Sequence, residues 1–349
     1  MKKRLLILLS LFTIHYSLFV SAASALDFGQ GQWKGKLTGD GAVGGAWSDA
    51  IDQYIVSDFR IRAQGTYTMP SDWTFGAVYA IDQISTEHHY YARDAFVFTE
   101  SKFGRAEIGW TDSIATKLGL GLPDVGGLRL NDYSIVYDIV NRDIPVISNP
   151  TIGQRYAFRA TAVSIPQNPW QIGMSVAPWS NNFKSDTDIG VKYRAGEGKT
   201  KWALSFGGTF IDSPRDLRTD FQTPHLTADW RAEVSAGANI QYNSWVIGLN
   251  ARGIYDEHAV GAPSDGIRLG AGASYDFLNY TASLSYIFSD IGIWRTSQTT
   301  AAPSMIAHTM VASIRYKLNK YFDIWASGGG VASGSDTSPF AAAGIHGKF

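Results

Sequence analysis

A two-residue period runs through almost the whole chain. Trp230, Ala232, Val234, Ala236, Ala238, Ile240 and Tyr242 share one phase, and Arg231, Glu233, Ser235, Asn239 and Gln241 share the other. Successive side chains of a strand point to opposite faces, so this is one apolar and one polar face of a β-ribbon. Trp170 to Val176, Trp202 to Phe210, Ile267 to Phe277 and Tyr280 to Phe288 repeat the design. A soluble sandwich also alternates, but it buries its apolar face in a dry core. Here the aromatic residues gather at the segment ends, as they do where strands leave a bilayer. Tilted strands of roughly ten residues span the hydrocarbon layer. Arg231, Glu233, Arg252, Arg268, Arg315 and Lys317 must then face water. The expected fold is all-β: a transmembrane antiparallel β-barrel with a wet lumen.

Ladders are expected near 31–47, 54–68, 72–85, 90–99, 104–111, 154–164, 169–178, 187–195, 200–211, 227–242, 244–255, 266–278, 280–290, 305–318, 321–333 and 338–349. That makes about 16 strands, a number that leaves an aqueous channel where about eight would fill with side chains. In the fifteenth, Phe322, Ile324 and Trp325 leave open which face is outward. Tight links such as Asn243-Ser244 and Leu278-Asn279 alternate with long polar ones such as Ile211 to His225 and Ser289 to Ser304. Short turns belong on the periplasmic side and long loops outside. No linker or second domain interrupts the pattern.

Residues 1–25 read as a cleavable signal peptide: Lys2-Lys3-Arg4, a largely apolar run from Leu5 to Val20, then Ala23-Ser24-Ala25. Residues 26–349 form the barrel. Loss of three basic residues takes the net charge from −1 to −4. With no cysteine in the sequence, a disulfide framework and a thiolate metal site are excluded. Beyond the leader, no stretch approaches the roughly twenty apolar residues of a membrane helix.

One connection is too long to be idle. Between the ladders Phe103–Trp110 and Arg155–Thr161 lie about forty residues of weak pattern, and such loops are uncommon unless functional. The segment holds Leu122-Pro123-Asp124-Val125-Gly126-Gly127, then Asp132, Asp138 and Asp143. Pro123 with Gly126 and Gly127 suits a tight tip. The expectation is a loop folded back into the lumen, opposite a basic wall. Arg60, Arg62 and Gln64 share the phase opposite Phe59, Ile61 and Tyr67, and Arg155 and Arg159 oppose Tyr156 and Phe158. Lys34 and Lys36 on the first ladder extend the wall.

In these segments the chain resembles the general diffusion porins of Gram-negative outer membranes. Arg93-Asp94-Ala95-Phe96-Val97-Phe98 followed by Phe103-Gly104-Arg105-Ala106-Glu107-Ile108-Gly109 looks like the family's fourth hairpin leading into its inward-folded third loop. Pro123-Asp124-Val125-Gly126-Gly127 is similar to its Pro-Glu-Phe-Gly-Gly loop tip, and Gly344 to Phe349 to its last strand. The resemblance implies wall arginines at Arg60, Arg93 and Arg155, a loop carboxylate at Asp124, and a terminal Phe349 that signals to the barrel assembly machinery. It also implies a homotrimer, contact with outer-membrane lipid and lipopolysaccharide, and passage of small hydrophilic solutes. Leu120 and Leu128 stand where several members carry acids, and Trp110 where many carry arginine, so the carboxylate side of the constriction is thinner here. Gly35, Gly39 and Gly41 suit close packing in a trimer.

The expected function is an outer-membrane channel for passive diffusion, weakly anion-preferring. Alternatives are a channel selective for sugars or phosphorylated solutes, and an outer-membrane hydrolase. No Gly-x-Ser-x-Gly elbow or Ser/His/Asp set is legible, and His308 and Ser313 on one ladder face opposite ways. The expectation is not an enzyme. His88-His89 point to opposite faces and suit a polar outer loop better than a metal. Nothing points to a cofactor or a nucleic-acid partner. Calcium or lipopolysaccharide at the acidic loops stays open.

Overall fold

The computed structural model describes residues 26–49, 54–84, 90–123, 125, 157–164, 169–178, 184–213, 228–258, 264–291, 305–334 and 336–348. A short β1 (Leu26–Gln30) precedes the strands β2 (Trp33–Ser48), β3 (Tyr54–Thr68), β4 (Thr74–Ile84), β5 (Tyr90–Ser101) and β6 (Gly104–Thr111). A short helix α1 (Ile114–Leu118) follows. Then come β7 (Ala157–Ser164), β8 (Trp170–Ala177), β9 (Ser185–Ala195), β10 (Thr200–Asp212), β11 (Ala228–Tyr242) and β12 (Trp245–His258). The last are β13 (Ser264–Phe277), β14 (Tyr280–Ile291), β15 (Met305–Lys317), β16 (Phe322–Ser333) and β17 (Asp336–Lys348).

From β2 onward every strand pairs antiparallel with the next, and β17 closes the ring on β2 through Phe340↔Ser48 to Lys348↔Asp40. The result is a closed barrel of sixteen strands, as the ladder count anticipates. Closure satisfies the backbone groups that an open edge would leave bare in lipid. The extra strand β1 was not anticipated. It pairs with Trp33 to Leu37 of β2, continuing the edge that β17 occupies from Asp40 onward. Phe28 of β1 lies over Gly35, where an added Cβ would come within 2.2 Å of its ring. The chain's own N-terminal strand therefore covers Gly35.

The outward phase carries the apolar side chains. Val97, Ile108, Met174, Phe206, Leu249, Leu284 and Met310 are all exposed. At the short-turn end the band finishes in aromatic contacts: Trp33 with Tyr67, Trp170 with Tyr193, Tyr193 with Trp202, Trp245 with Tyr275 and Tyr280 with Tyr316. Phe210, Trp230 and Tyr255 form a comparable run towards the other end. Paired aromatics at the two ends of an apolar band are what the bilayer interfaces select.

The inward phase is polar, with some buried apolar residues as exceptions. In β16, Ile324 points out and Trp325 points in and is 1% exposed, which settles the strand whose faces were ambiguous. Phe96 and Phe98 of β5 and Val78 of β4 also cluster inside. The alternation rule thus holds for the exterior more strictly than for the interior, where apolar side chains can be covered by protein.

Candidate functional site: the lumen wall

Register fixes which charges share the inner face. Lys34, Lys36, Thr38 and Asp40 of β2 lie opposite Thr66, Gln64, Arg62 and Arg60 of β3. Lys34, Lys36, Arg60 and Arg62 are therefore brought together on one inner surface. Arg60 in turn lies opposite Asp82 of β4 and binds it through two hydrogen bonds, Nε to Oδ1 at 2.8 Å and Nη2 to Oδ2 at 3.1 Å. Arg93 falls at a β-bulge: Ala80 pairs with Asp94 and Ile81 with Ala92, which leaves Arg93 the extra residue. Arg155, Asp124, Gly126, Gly127 and Phe349 lie outside the described residues, as do Asp132, Asp138 and Asp143.

The described start of the long connection runs along the inner wall. Ser113 caps α1 by accepting from the Thr116 N–H at 3.1 Å. The Ile114 N–H donates to Ser175 Oγ of β8, and the Ala115 N–H to Asp188 Oδ1 of β9 at 2.8 Å. The chain then crosses strand after strand. Leu120 N–H donates to Ser205 of β10, Asn239 of β11 donates to the Gly121 carbonyl, Ser285 of β14 donates to the Pro123 carbonyl, and Val125 N–H donates to Ser283. Each strand supplies a short polar side chain to a backbone group that would otherwise be buried unpaired.

Close approach of that segment depends on glycine. A Cβ on Gly173 would meet Ile114 Cγ1 at 2.5 Å, and one on Gly248 would meet Pro123 Cδ at 2.5 Å. Gly190, Gly237 and Gly270 border Ile114, Leu120 and Leu122 in the same way. Inward-phase glycines on neighbouring strands thus form a shelf for residues 114–123.

Two ion clusters anchor the shelf. Arg159 of β7 is fully buried and donates to Asp186 Oδ2 at 3.1 Å, Asp188 Oδ2 at 2.9 Å and Ser175 Oγ at 3.0 Å. Ser175 also donates a short bond to Asp188, so the residues that hold Arg159 also hold the start of α1. On β6, Glu107 accepts from Arg105 Nε at 2.8 Å and forms a short ion pair with Lys117 of α1. The Arg105 guanidinium stacks 3.7 Å over the Phe98 ring, close enough for a cation–π contact. Farther round, Arg231 forks Asp256 at 2.5 and 2.6 Å, and Arg252 donates to Glu233 at 3.2 Å.

Glu107, Lys117, Asp186 and Asp188 are site residues that the sequence reading missed. Asp186 and Asp188 lie 27 and 29 positions beyond Arg159, so no local spacing joins them. The usable signal was acids on the inward phase of β9, where a solvated strand needs none in particular.

A closed barrel with an apolar exterior, an ionic interior and a chain segment pinned against its inner wall defines a membrane channel. The comparisons with known proteins agree. The chain belongs to the Gram-negative porin family, whose profile it matches over residues 13–334. It is therefore an outer-membrane porin. Among solved structures it is similar to OmpTdeltaL8, a loop-deletion form of an outer membrane protein of Vibrio cholerae. There the TM-score is 0.67 at 12% identity, covering 91% of this chain and 100% of that one. It is also similar to an anion-selective porin from Comamonas acidovorans (TM-score 0.64, 12% identity, 91% and 100% covered). OmpF of Salmonella typhi, in a daunomycin complex, gives a TM-score of 0.61 at 13% identity with 93% and 100% covered. At such identities these structures speak for the fold. No curated protein matches the sequence.

Proposed function

We propose that the protein is a general diffusion porin with a weak preference for anions. The carrying observation is a difference in pairing on the described inner wall. The carboxylates Asp82, Glu107, Asp186, Asp188, Glu233 and Asp256 each hold an arginine or lysine. Arg62 and Lys192 have no carboxylate partner among the described residues. With these six acids engaged, the spare cations on the same wall favour anions through the focused field, opposed by Asp276 and Asp323, which are bonded to Thr281 and His346 and not to an arginine or lysine. The net charge of −4 without residues 1–25 opposes this only weakly, because acids on distant loops are screened within about 8–10 Å.

In this reading the basic wall of the constriction is Arg60, Arg62, Arg93 and Arg155, with Lys34 and Lys36; Arg159, expected on that wall, is instead fully buried against Asp186 and Asp188 and anchors the loop. The long connection carries Pro123, Asp124, Gly126 and Gly127 towards it. The inward start at Ile114 to Val125 supports a third loop folded into the lumen. Residues 1–25 act as a signal peptide, and Phe349 engages the barrel assembly machinery. The barrels assemble as homotrimers in contact with lipid and lipopolysaccharide, a reading supported by the trimer form of the similar Vibrio cholerae OmpT.

Selectivity for sugars is disfavoured because, among the described residues, the inward aromatics Phe96, Phe98, Trp325 and Phe340 are buried and offer no open ring to a solute. The channel is not a hydrolase in this reading: His308 points outward onto Tyr286, and Ser313 points inward onto Ser327. Reversal potentials across a planar bilayer in a salt gradient test the ion preference. Modest anion preference is expected, and clear cation preference rejects it.

A further inference from the structure

One patch of the inner wall has hydrogen-bond donors in excess. Arg268 of β13 is 0% exposed and lies directly opposite Arg252 of β12 on one side and Ser289 of β14 on the other. Its Nη1 donates to Asn250 Oδ1 at 2.8 Å, while its Nε and Nη2 have no hydrogen-bond partner. Asn250 Nδ2 and Ser289 Oγ, both buried beside it, are also without a partner. The neighbouring acids are committed elsewhere: Glu233 to Arg252 and Arg231, and Asp256 to Arg231.

A buried guanidinium with two unmet donors and no carboxylate is costly, because its charge has left water without compensation. The unmet atoms are not mixed in kind. Arg268 Nε and Nη2 and Asn250 Nδ2 can only donate, and the Ser289 hydroxyl can. Donors from three adjacent strands beside an unneutralised positive charge are what an anion site requires. We propose that Arg268, Asn250 and Ser289 hold a resident small inorganic anion in the barrel wall. The site lies on β12–β14, apart from the basic wall on β2 and β3, and does not depend on the ion preference proposed above. Because Arg268 is enclosed, the anion is a structural counter-ion rather than a solute in transit.

The test is thermal unfolding of the full-length protein in detergent. Sodium chloride or sodium phosphate is titrated against a sodium salt of a bulky organic sulfonate at equal ionic strength. The expected result is a saturable rise in Tm with the small anion, as binding to the folded state alone requires. Arg268→Met is expected to abolish the rise. Should that variant fail to fold, Asn250→Leu and Ser289→Ala still test the site. Each is expected to raise the half-saturating anion concentration about tenfold, the usual worth of a hydrogen bond to a charge. A Tm that follows ionic strength whichever anion is present overturns the proposal. So does a saturable rise unchanged in all three variants.

Discussion

Arg60 and Asp82 sit directly across from each other on β3 and β4, joined by two hydrogen bonds between a quarter-exposed guanidinium and a buried carboxylate. The pair leaves the arginine in the lumen while cancelling much of its charge. Asp82→Asn is expected to release that charge. The reversal potential in a salt gradient should move towards anion preference, and unfolding should become easier by about 1–3 kcal/mol. A shift towards cations would show that Arg60 does not face the conduction path.

Arg159 has the opposite character: it is sealed, and two aspartates depend on it. Arg159→Met leaves Asp186 and Asp188 buried without their counter-charge, at a cost of about 3–5 kcal/mol. Asp188 and Ser175 also hold α1. Single-channel recordings of protein that still folds should therefore be noisier than wild type. Quiet currents with unchanged thermal unfolding would separate Arg159 from the loop anchor.

Gly248→Val tests the glycine shelf. Its Cβ would sit 2.5 Å from Pro123 Cδ, and a proline ring cannot rotate away. Overpacking of this sort costs about 1–3 kcal/mol. The expected signature is altered conductance with the barrel intact by circular dichroism. Unchanged conductance would place Pro123 off the path.

Leu278 lies in a two-residue turn between Phe277 and Tyr280, fully exposed at φ 54°. A branched side chain in the left-handed region is strained by about 1–2 kcal/mol. Leu278→Gly should recover part of that as slower unfolding in denaturant, with conductance unchanged.

These residues also show what a sequence can disclose of such a fold. The exterior is legible because lipid tolerates little else: Val234, Ile240 and Leu249 announce their strands by period alone. The interior is less so, because a side chain inside the barrel can meet either water or protein. Phe96, Phe98 and Trp325 point inward and break the alternation that identifies their strands. The helix from Ile114 to Leu118 is a five-residue turn, too short for helical period to emerge. Arg60, Arg62, Lys34 and Lys36 could be assigned to one face by counting. The partners of Arg159 could not, because they depend on a register set by strands far along the chain. β1 is not legible because Leu26 and Phe28 alternate over only five residues, too few for a period to stand out until β2 gives them a partner.

Water fills the inner side of β3 that bears Arg60 and Arg62, while lipid covers the apolar outer face of the barrel. The sequence contains no cysteine, so single-cysteine variants can be read without background. A charged methanethiosulfonate reagent should be applied to Arg62→Cys, on the inner face of β3, and to Leu249→Cys, on the outer face of β12, in a planar bilayer. A stepwise change in current is expected for Arg62→Cys and none for Leu249→Cys. Modification of Leu249→Cys with Arg62→Cys silent would contradict it.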